Sequence, residues 1–280
     1  MAFRVTAWAT RARLRRKVHP PPSKAAWQQR TEELIRRHAP GGSFVDIGAM
    51  WQMHGRMAFV AEEAGATAVT AVDAMDPTPE FGRERARRDS RVRFVQGDLH
   101  DPLTVEAIGR HDFVWCSGVI YHSPNPYVLI EHLRRLTGQL LYLGTQIVPE
   151  VPGFEGACVF YPGLCKSSRR AHGSVHGAGH DAIGVNSPFD ATPGLGYANY
   201  WWGITPSALR AMVRTARFEI VEEMHPDPFA MSVLARPVAG GSVIPAPELA
   251  RERGQARDAG LESDDGETGA RDRGGQRPGP

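Results

Sequence analysis

The chain has 280 residues, with 41% apolar and 23% charged side chains and a net charge of +2, enough for one large domain with a full hydrophobic core. This balance excludes collagen-like, membrane-spanning and wholly disordered chains, and no stretch approaches the roughly 18–20 apolar residues of a transmembrane helix. Three cysteines (Cys116, Cys158, Cys165) are too few for a disulfide framework and fit a reducing cytoplasm, and the basic start Met1–Arg16 lacks the apolar core of a secretory signal.

In chain order, residues 1–40 form a basic extension of +8, residues 41–238 a core of −4, and residues 239–280 a tail of −2. Ser23, after Pro20-Pro21-Pro22, is placed to cap a helix over about 24–38 that buries Trp27, Leu34 and Ile35. A short apolar run, Phe44–Ile47, closes at Gly48, and a helix follows over Arg56–Ala64. Ala66–Val72 closes at Asp73. Val92–Val95 and Phe113–Cys116 repeat the pattern, then come a helix over Val128–Leu136 and a strand over Leu140–Gly144. Short strands separated by helices predict an α/β fold with a parallel, doubly wound sheet. Ligands of such sheets bind beyond the carboxyl ends of the strands.

Residues 147–204 show no periodicity and are read as an insertion. A helix begins at Thr205-Pro206 and runs to about Arg217, followed by strands over Phe218–Glu222 and Ala230–Ala235. The tail Gly240–Pro280 has too little apolar content to offset its chain entropy and is expected to be disordered.

The residues that carry chemistry gather at strand ends. Val45-Asp46-Ile47-Gly48 leads through Ala49–His54 to Gly55, where a helix starts. Glycines admit a close backbone approach, and a helix N-terminus offers N–H groups. Asp73 can accept two ribose hydroxyls, Asp98 in Gly97-Asp98-Leu99 an adenine amine. Ser117-Gly118-Val119-Ile120-Tyr121-His122 closes the fourth strand. Each alone is also what a plain turn or solvated aspartate would give, but four in succession are not a coincidence of turns.

These segments resemble the class I S-adenosylmethionine-dependent methyltransferases over about residues 42–146, and more loosely over 205–236. The resemblance implies a Rossmann-like sheet with a reversed C-terminal strand. It places Asp46, Gly48 and Gly55 in the cofactor loop, Asp73 at the ribose, Asp98 and Leu99 at the adenine, and Ser117 and Gly118 at the methyl end. The family's compact glycine loop is stretched here by about three residues. Gly118–His122 with Asn125-Pro126 is similar to the branch that contains the tRNA wobble-uridine carboxymethyltransferase and many small-molecule enzymes. The expected reaction is methyl transfer from S-adenosylmethionine to an oxygen or nitrogen of a small molecule.

His122 is the candidate general base, and a hydrogen-bonded structural histidine is the competing reading. Tyr121, Tyr200, Trp201 and Trp202 are candidates for an acceptor wall, or else anchors for the helix after Thr205. The insertion 147–204 is the expected acceptor lid. His172, His176 and His180 are spaced like metal ligands, but interleaved glycines favour a polar loop, so no metal is expected. The basic arm could hold RNA phosphates, which the acidic core does not favour. A nicotinamide oxidoreductase, whose Gly-x-Gly-x-x-Gly is not clean here, and a catalytically silent cofactor-binding module are the remaining rivals to methyl transfer. The oligomeric state is open.

Overall fold

The structure, a computed structural model, describes residues 22–165, 191, 199–227 and 229–240. The arm before residue 22, the tail after 240, the three histidines at 172, 176 and 180, and most of the insertion's interior lie outside these residues.

Helix α1 (Lys24–His38) starts where Ser23 Oγ accepts the Ala26 N–H at 3.1 Å. Strand β1 (Ser43–Ile47), helix α2 (Arg56–Glu63), β2 (Ala68–Asp73), α3 (Pro79–Arg87), β3 (Arg93–Gln96), α4 (Pro102–Ile108), β4 (His111–Ser117), α5 (Pro126–Leu136) and β5 (Thr137–Gln146) follow. A small pair, β6 (Cys158–Phe160) and β7 (Trp202–Ile204), precedes α6 (Pro206–Thr215), β8 (Phe218–Asp227) and β9 (Ala230–Pro237).

The main sheet has seven strands in the order β3-β2-β1-β4-β5-β9-β8. The first five run parallel, and β9 enters antiparallel between β5 and β8. Side chains of α4, α5 and α6, among them Val105, Leu129, Leu133 and Leu209, pack on one face with Val45, Ile47 and Val114. Those of α1, α2 and α3, among them Leu34, Phe59 and Phe81, pack on the other with Phe44, Phe113 and Trp115. Such alternation along β1 follows from the two-residue period of a strand, and both faces are buried because helices cover each. The expected doubly wound sheet with one reversed C-terminal strand is therefore present.

Three features differ from the sequence expectation. Helices α3 and α4 fill segments read only as connections. Strand β5 begins at Thr137, directly after α5, where Thr137 Oγ1 donates to the Leu133 carbonyl at 2.7 Å. The insertion is not structureless: β6 and β7 pair antiparallel through Cys158–Ile204, Val159–Gly203 and Phe160–Trp202. Glu150 reaches the start of α6, where its carboxylate accepts the Ser207 N–H and hydroxyl at 2.7 and 2.6 Å. Carboxylates suit that end because the first helical N–H groups lack intrahelical partners.

Candidate functional site

The chain returns from β3 to place β4 beside β1, so the strand order reverses between these two. A crevice outside the carboxyl ends opens at such a point. Gly48 closes β1 with φ +79, and a Cβ there would lie 2.5 Å from Val119 Cγ2 in the loop after β4. The two loops are thus neighbours across the reversal, and a side chain at 48 would push them apart. Ser117 and Gly118 are exposed at the end of β4. Gly118 has φ +78, and the Tyr121 hydroxyl is the nearest group to its missing Cβ, at 3.6 Å.

The loop from Gly48 to Gly55 is closed on itself. Gly55 N–H donates to the Ala49 carbonyl at 2.7 Å, and Arg56 N–H to the Met53 carbonyl at 2.9 Å. Met50 is fully buried and Trp51 is 68% exposed. Asp73 holds this loop from below. Its Oδ2 accepts the Met50 N–H at 2.7 Å and its Oδ1 the Met75 N–H at 2.9 Å, and only 9% of the residue is exposed. A carboxylate oxygen has two acceptor positions, so both oxygens keep capacity for hydroxyl donors.

Asp46 lies deeper. It accepts a backbone N–H from Ala58, in the first turn of α2, while Oδ2 has no hydrogen-bond partner among the described residues. Burial first, and the neighbouring Asp73 charge second, push its carboxyl up to about 7. Gly55 caps α2 with φ +76 and is buried against Phe81, whose ring would stand 2.4 Å from a Cβ. Its glycine therefore serves turn and packing. Gly55→Ala is expected to cost about 1–3 kcal/mol by overpacking, read as a lower denaturant midpoint with unchanged slope.

Beyond β3, Asp98 is partly exposed and Leu99 is buried. His100, which no sequence signal singles out, donates from Nδ1 to Asp98 Oδ1 at 2.9 Å, and its Nε2 meets Ser123 Oγ at 2.7 Å. His132 donates from Nδ1 to the Leu99 carbonyl at 2.6 Å, fixing the turn from below.

After β4 a short 3₁₀ turn, Ile120–His122, carries the candidate base. His122 Nδ1 lies 2.7 Å from the Asn199 carbonyl. A carbonyl only accepts, so Nδ1 carries the proton and Nε2 is the basic nitrogen. Tyr121 and Tyr200 stack with centroids 4.9 Å apart, and Tyr161 lies 4.4 Å from Tyr200. Burial pushes the Tyr121 hydroxyl up to about 12, so it stays protonated at neutral pH. Trp201 N–H donates to the Tyr121 carbonyl at 2.8 Å, and Trp202 Nε1 to the Pro124 carbonyl at 2.9 Å.

The structure thus gathers Gly48, Asp73, Asp98, Ser117, Gly118, Tyr121 and His122 on one edge of the sheet. Tyr200 is fully buried and belongs to a small core with Val148 and Tyr161, while Trp201 and Trp202 are half-buried. Among the described residues, no three His, Cys, Asp or Glu side chains stand together in a group able to hold a metal ion. No helix among those residues is long and apolar enough to cross a membrane.

Comparison with known proteins agrees with this geometry. Residues 45–139 match a family model described as a methyltransferase domain. Curated proteins gave no significant match. Among solved structures, the chain is similar to the N-terminal domain of EvdMO1 with SAH bound, at 14% identity and TM-score 0.52, covering 83% of this chain and 97% of that one. It is also similar to 1,6-didemethyltoxoflavin-N1-methyltransferase from Burkholderia thailandensis with 1,6-didemethyltoxoflavin and S-adenosylhomocysteine bound. That match has 17% identity and TM-score 0.50, covering 84% of this chain and 87% of the other. At these identities the likeness is one of fold. Residues 45–139 are thus similar to a methyltransferase domain, and the seven-stranded sheet has the Rossmann-like fold that the chain shares with these solved structures.

Proposed function

We propose that the protein transfers a methyl group from S-adenosylmethionine to an oxygen or nitrogen of a small-molecule acceptor. The observation that carries this reading is the convergence of Gly48, Asp73, Asp98 and Ser117-Gly118 on the carboxyl edge, next to the point where the strand order reverses. The residues suit the cofactor chemically. Ribose hydroxyls, an adenine amine and an ammonium are all donors, and Asp73, Asp98 and the unpartnered Oδ2 of Asp46 are acceptors. Ser117 and Gly118 would line the methyl end. When bound, S-adenosylmethionine supplies a methyl group already activated by a sulfonium. The chain's task is then to hold the acceptor in line, exclude water and take up a proton.

His122 Nε2 is the group that receives a hydroxyl proton. The foot of the insertion, residues 199–204, holds that histidine through the Asn199 carbonyl. The Burkholderia thailandensis neighbour is a 1,6-didemethyltoxoflavin-N1-methyltransferase, which supports a small-molecule acceptor here. The finer likeness to the wobble-uridine branch rests on Gly118–Pro126 alone, and an acceptor screen that includes tRNA decides it.

The donor assignment is tested by calorimetry with S-adenosylhomocysteine. Asp73→Ala is expected to lose charge-assisted bonds to the ribose of about 1.5–3 kcal/mol each, roughly tenfold to a hundredfold in affinity. It also strips the partner from the buried Met50 N–H, so Asp73→Asn, which keeps one acceptor, serves as the control for folding. A folded Asp73→Ala protein with unchanged affinity would overturn the assignment.

A further inference from the structure

His100 joins the carboxyl end of β3 to the loop after β4 by an unbroken chain of hydrogen bonds. Asn125 N–H donates to Ser123 Oγ at 3.0 Å. Ser123 Oγ also lies 2.7 Å from His100 Nε2. His100 Nδ1–H donates to Asp98 Oδ1 at 2.9 Å, and the His100 backbone N–H reaches the same oxygen at 2.7 Å. The tautomer follows from the partners, because a carboxylate only accepts. When the Ser123 hydroxyl donates to Nε2, every donor in the chain runs toward Asp98, an arrangement in which successive bonds polarise one another.

The trio has the composition of a hydrolytic triad, but Ser123 is fully buried and no substrate carbonyl could meet its hydroxyl. Its consequence falls on Asp98. The Asp98 side chain is 44% exposed, and an exposed carboxylate normally turns freely. Two donors on Oδ1 fix both its torsions. A fixed acceptor loses no rotamer freedom when a ligand amine arrives, and it meets that amine in one direction only.

Resting on the reading of this edge as the S-adenosylmethionine site, we propose that His100 is a positioning residue for purine recognition. Through the Ser123–His100–Asp98 chain it aims the Asp98 carboxylate at the exocyclic amine, so preference for a 6-aminopurine cofactor depends on His100. No role of this kind is needed to build the fold, since β3 and α4 are held by their own ladder and by the Asp101 cap on Leu103 N–H and the Thr104 hydroxyl.

The test compares the full chain's affinity for S-adenosylhomocysteine with that for its 6-deamino analogue, in which hydrogen replaces the amine. The natural protein is expected to prefer the amine by roughly tenfold or more. His100→Ala should bring the two affinities nearly together. His100→Asn, whose amide can stand where Nδ1 stands, should keep most of the preference, and His100→Gln, whose amide falls nearer the Nε2 position, should lose it. A purely structural His100 would instead weaken both ligands by one factor and leave the ratio unchanged, which would overturn the proposal. If His100→Ala fails to fold, the Asn and Gln variants decide in the same way: equal ratios overturn it. A natural protein that binds both ligands equally also overturns it, with the cofactor reading intact. One that binds neither ligand overturns the cofactor reading itself, and the proposal with it.

Discussion

Replacement of His122 by alanine is expected to lower kcat by roughly 10²–10⁴-fold on an alcohol acceptor, with the affinity for S-adenosylhomocysteine nearly unchanged. The reason lies in where the histidine's two nitrogens are committed. Nδ1–H is spent on the Asn199 carbonyl, which fixes the ring and leaves Nε2 to take a proton. Burial, the larger influence, pulls the imidazole below its ordinary value, and the Asn199 bond acts against it. The ring is therefore neutral at pH 7, as a base must be. The acid limb of turnover should therefore lie below the ordinary imidazole value of about 6.5, and His122→Gln should abolish it.

The same shift bears on stability with a definite sign. A histidine whose folded value is lowered binds protons more readily when unfolded. Its contribution is complete above about pH 6.5 and is lost as pH falls toward the lower folded value. His38, His111 and His132 are lowered mainly by burial too, so the melting temperature should decline from pH 7 to 5.5 even in the His122 variants. Only the turnover profile isolates His122. A His122→Ala protein that melts early but turns over normally would make the residue structural.

What the sequence made legible is the part of the fold written in short range. Helix α1 shows Ser23, a proline break before it and three apolar residues on one side, and that cap is present. Helix α6 shows Thr205 followed by Pro206, and Thr205 Oγ1 accepts the Ala208 N–H. Strands β1, β2 and β4 are apolar runs that stop at a glycine, aspartate or serine. The two helices that escaped carry the same start signal, Thr78-Pro79 and Asp101-Pro102, with Thr78 and Asp101 both accepting N–H groups of the first turn. They escaped because neither has an apolar stripe long enough to register. In α3 only Phe81 is buried, and its surface is carried by pairs such as Arg83–Glu80 and Arg87–Glu84. Helix α4 spans fewer than two turns.

The site divides along the same line. Strand-end residues such as Asp73 and Asp98 could be found because the strands themselves could be found. Their partners could not. Asp73 accepts the N–H of Met50, 23 residues earlier, and His100 meets Ser123, 23 residues later. The Asn199 carbonyl reaches His122 across 77 residues. Backbone carbonyls and amides have no signature in a sequence, so second partners of this kind appear only when the chain has folded.

The aromatic residues at the foot of the insertion give the other large expected effect. Tyr200→Ala should remove about 3–5 kcal/mol, the usual cost of deleting a large buried aromatic ring. Tyr200 has no exposed surface and packs between Tyr121 and Tyr161, so the loss is one of packing and not of a pocket wall. It should also be local. Strands β6 and β7 have three residues each, and a two-stranded ribbon of that length is not stable without a packed face. Hydrogen exchange at residues 158–160 and 202–204 should therefore rise before the main sheet opens. The consequence for turnover follows from the bonds this foot makes. Trp201 N–H holds the Tyr121 carbonyl and the Asn199 carbonyl holds His122, so loosening residues 199–204 releases the proposed base from its fixed orientation. Tyr200→Ala is then expected to lower kcat, while S-adenosylhomocysteine affinity, proposed to depend on Asp73 and Asp98, stays nearly constant. Trp201→Ala should do less, since that ring is half-buried and stands 6.3 Å from the Phe160 ring. Unchanged hydrogen exchange in Tyr200→Ala, with only the acceptor KM raised, would instead make Tyr200 a wall of the acceptor pocket.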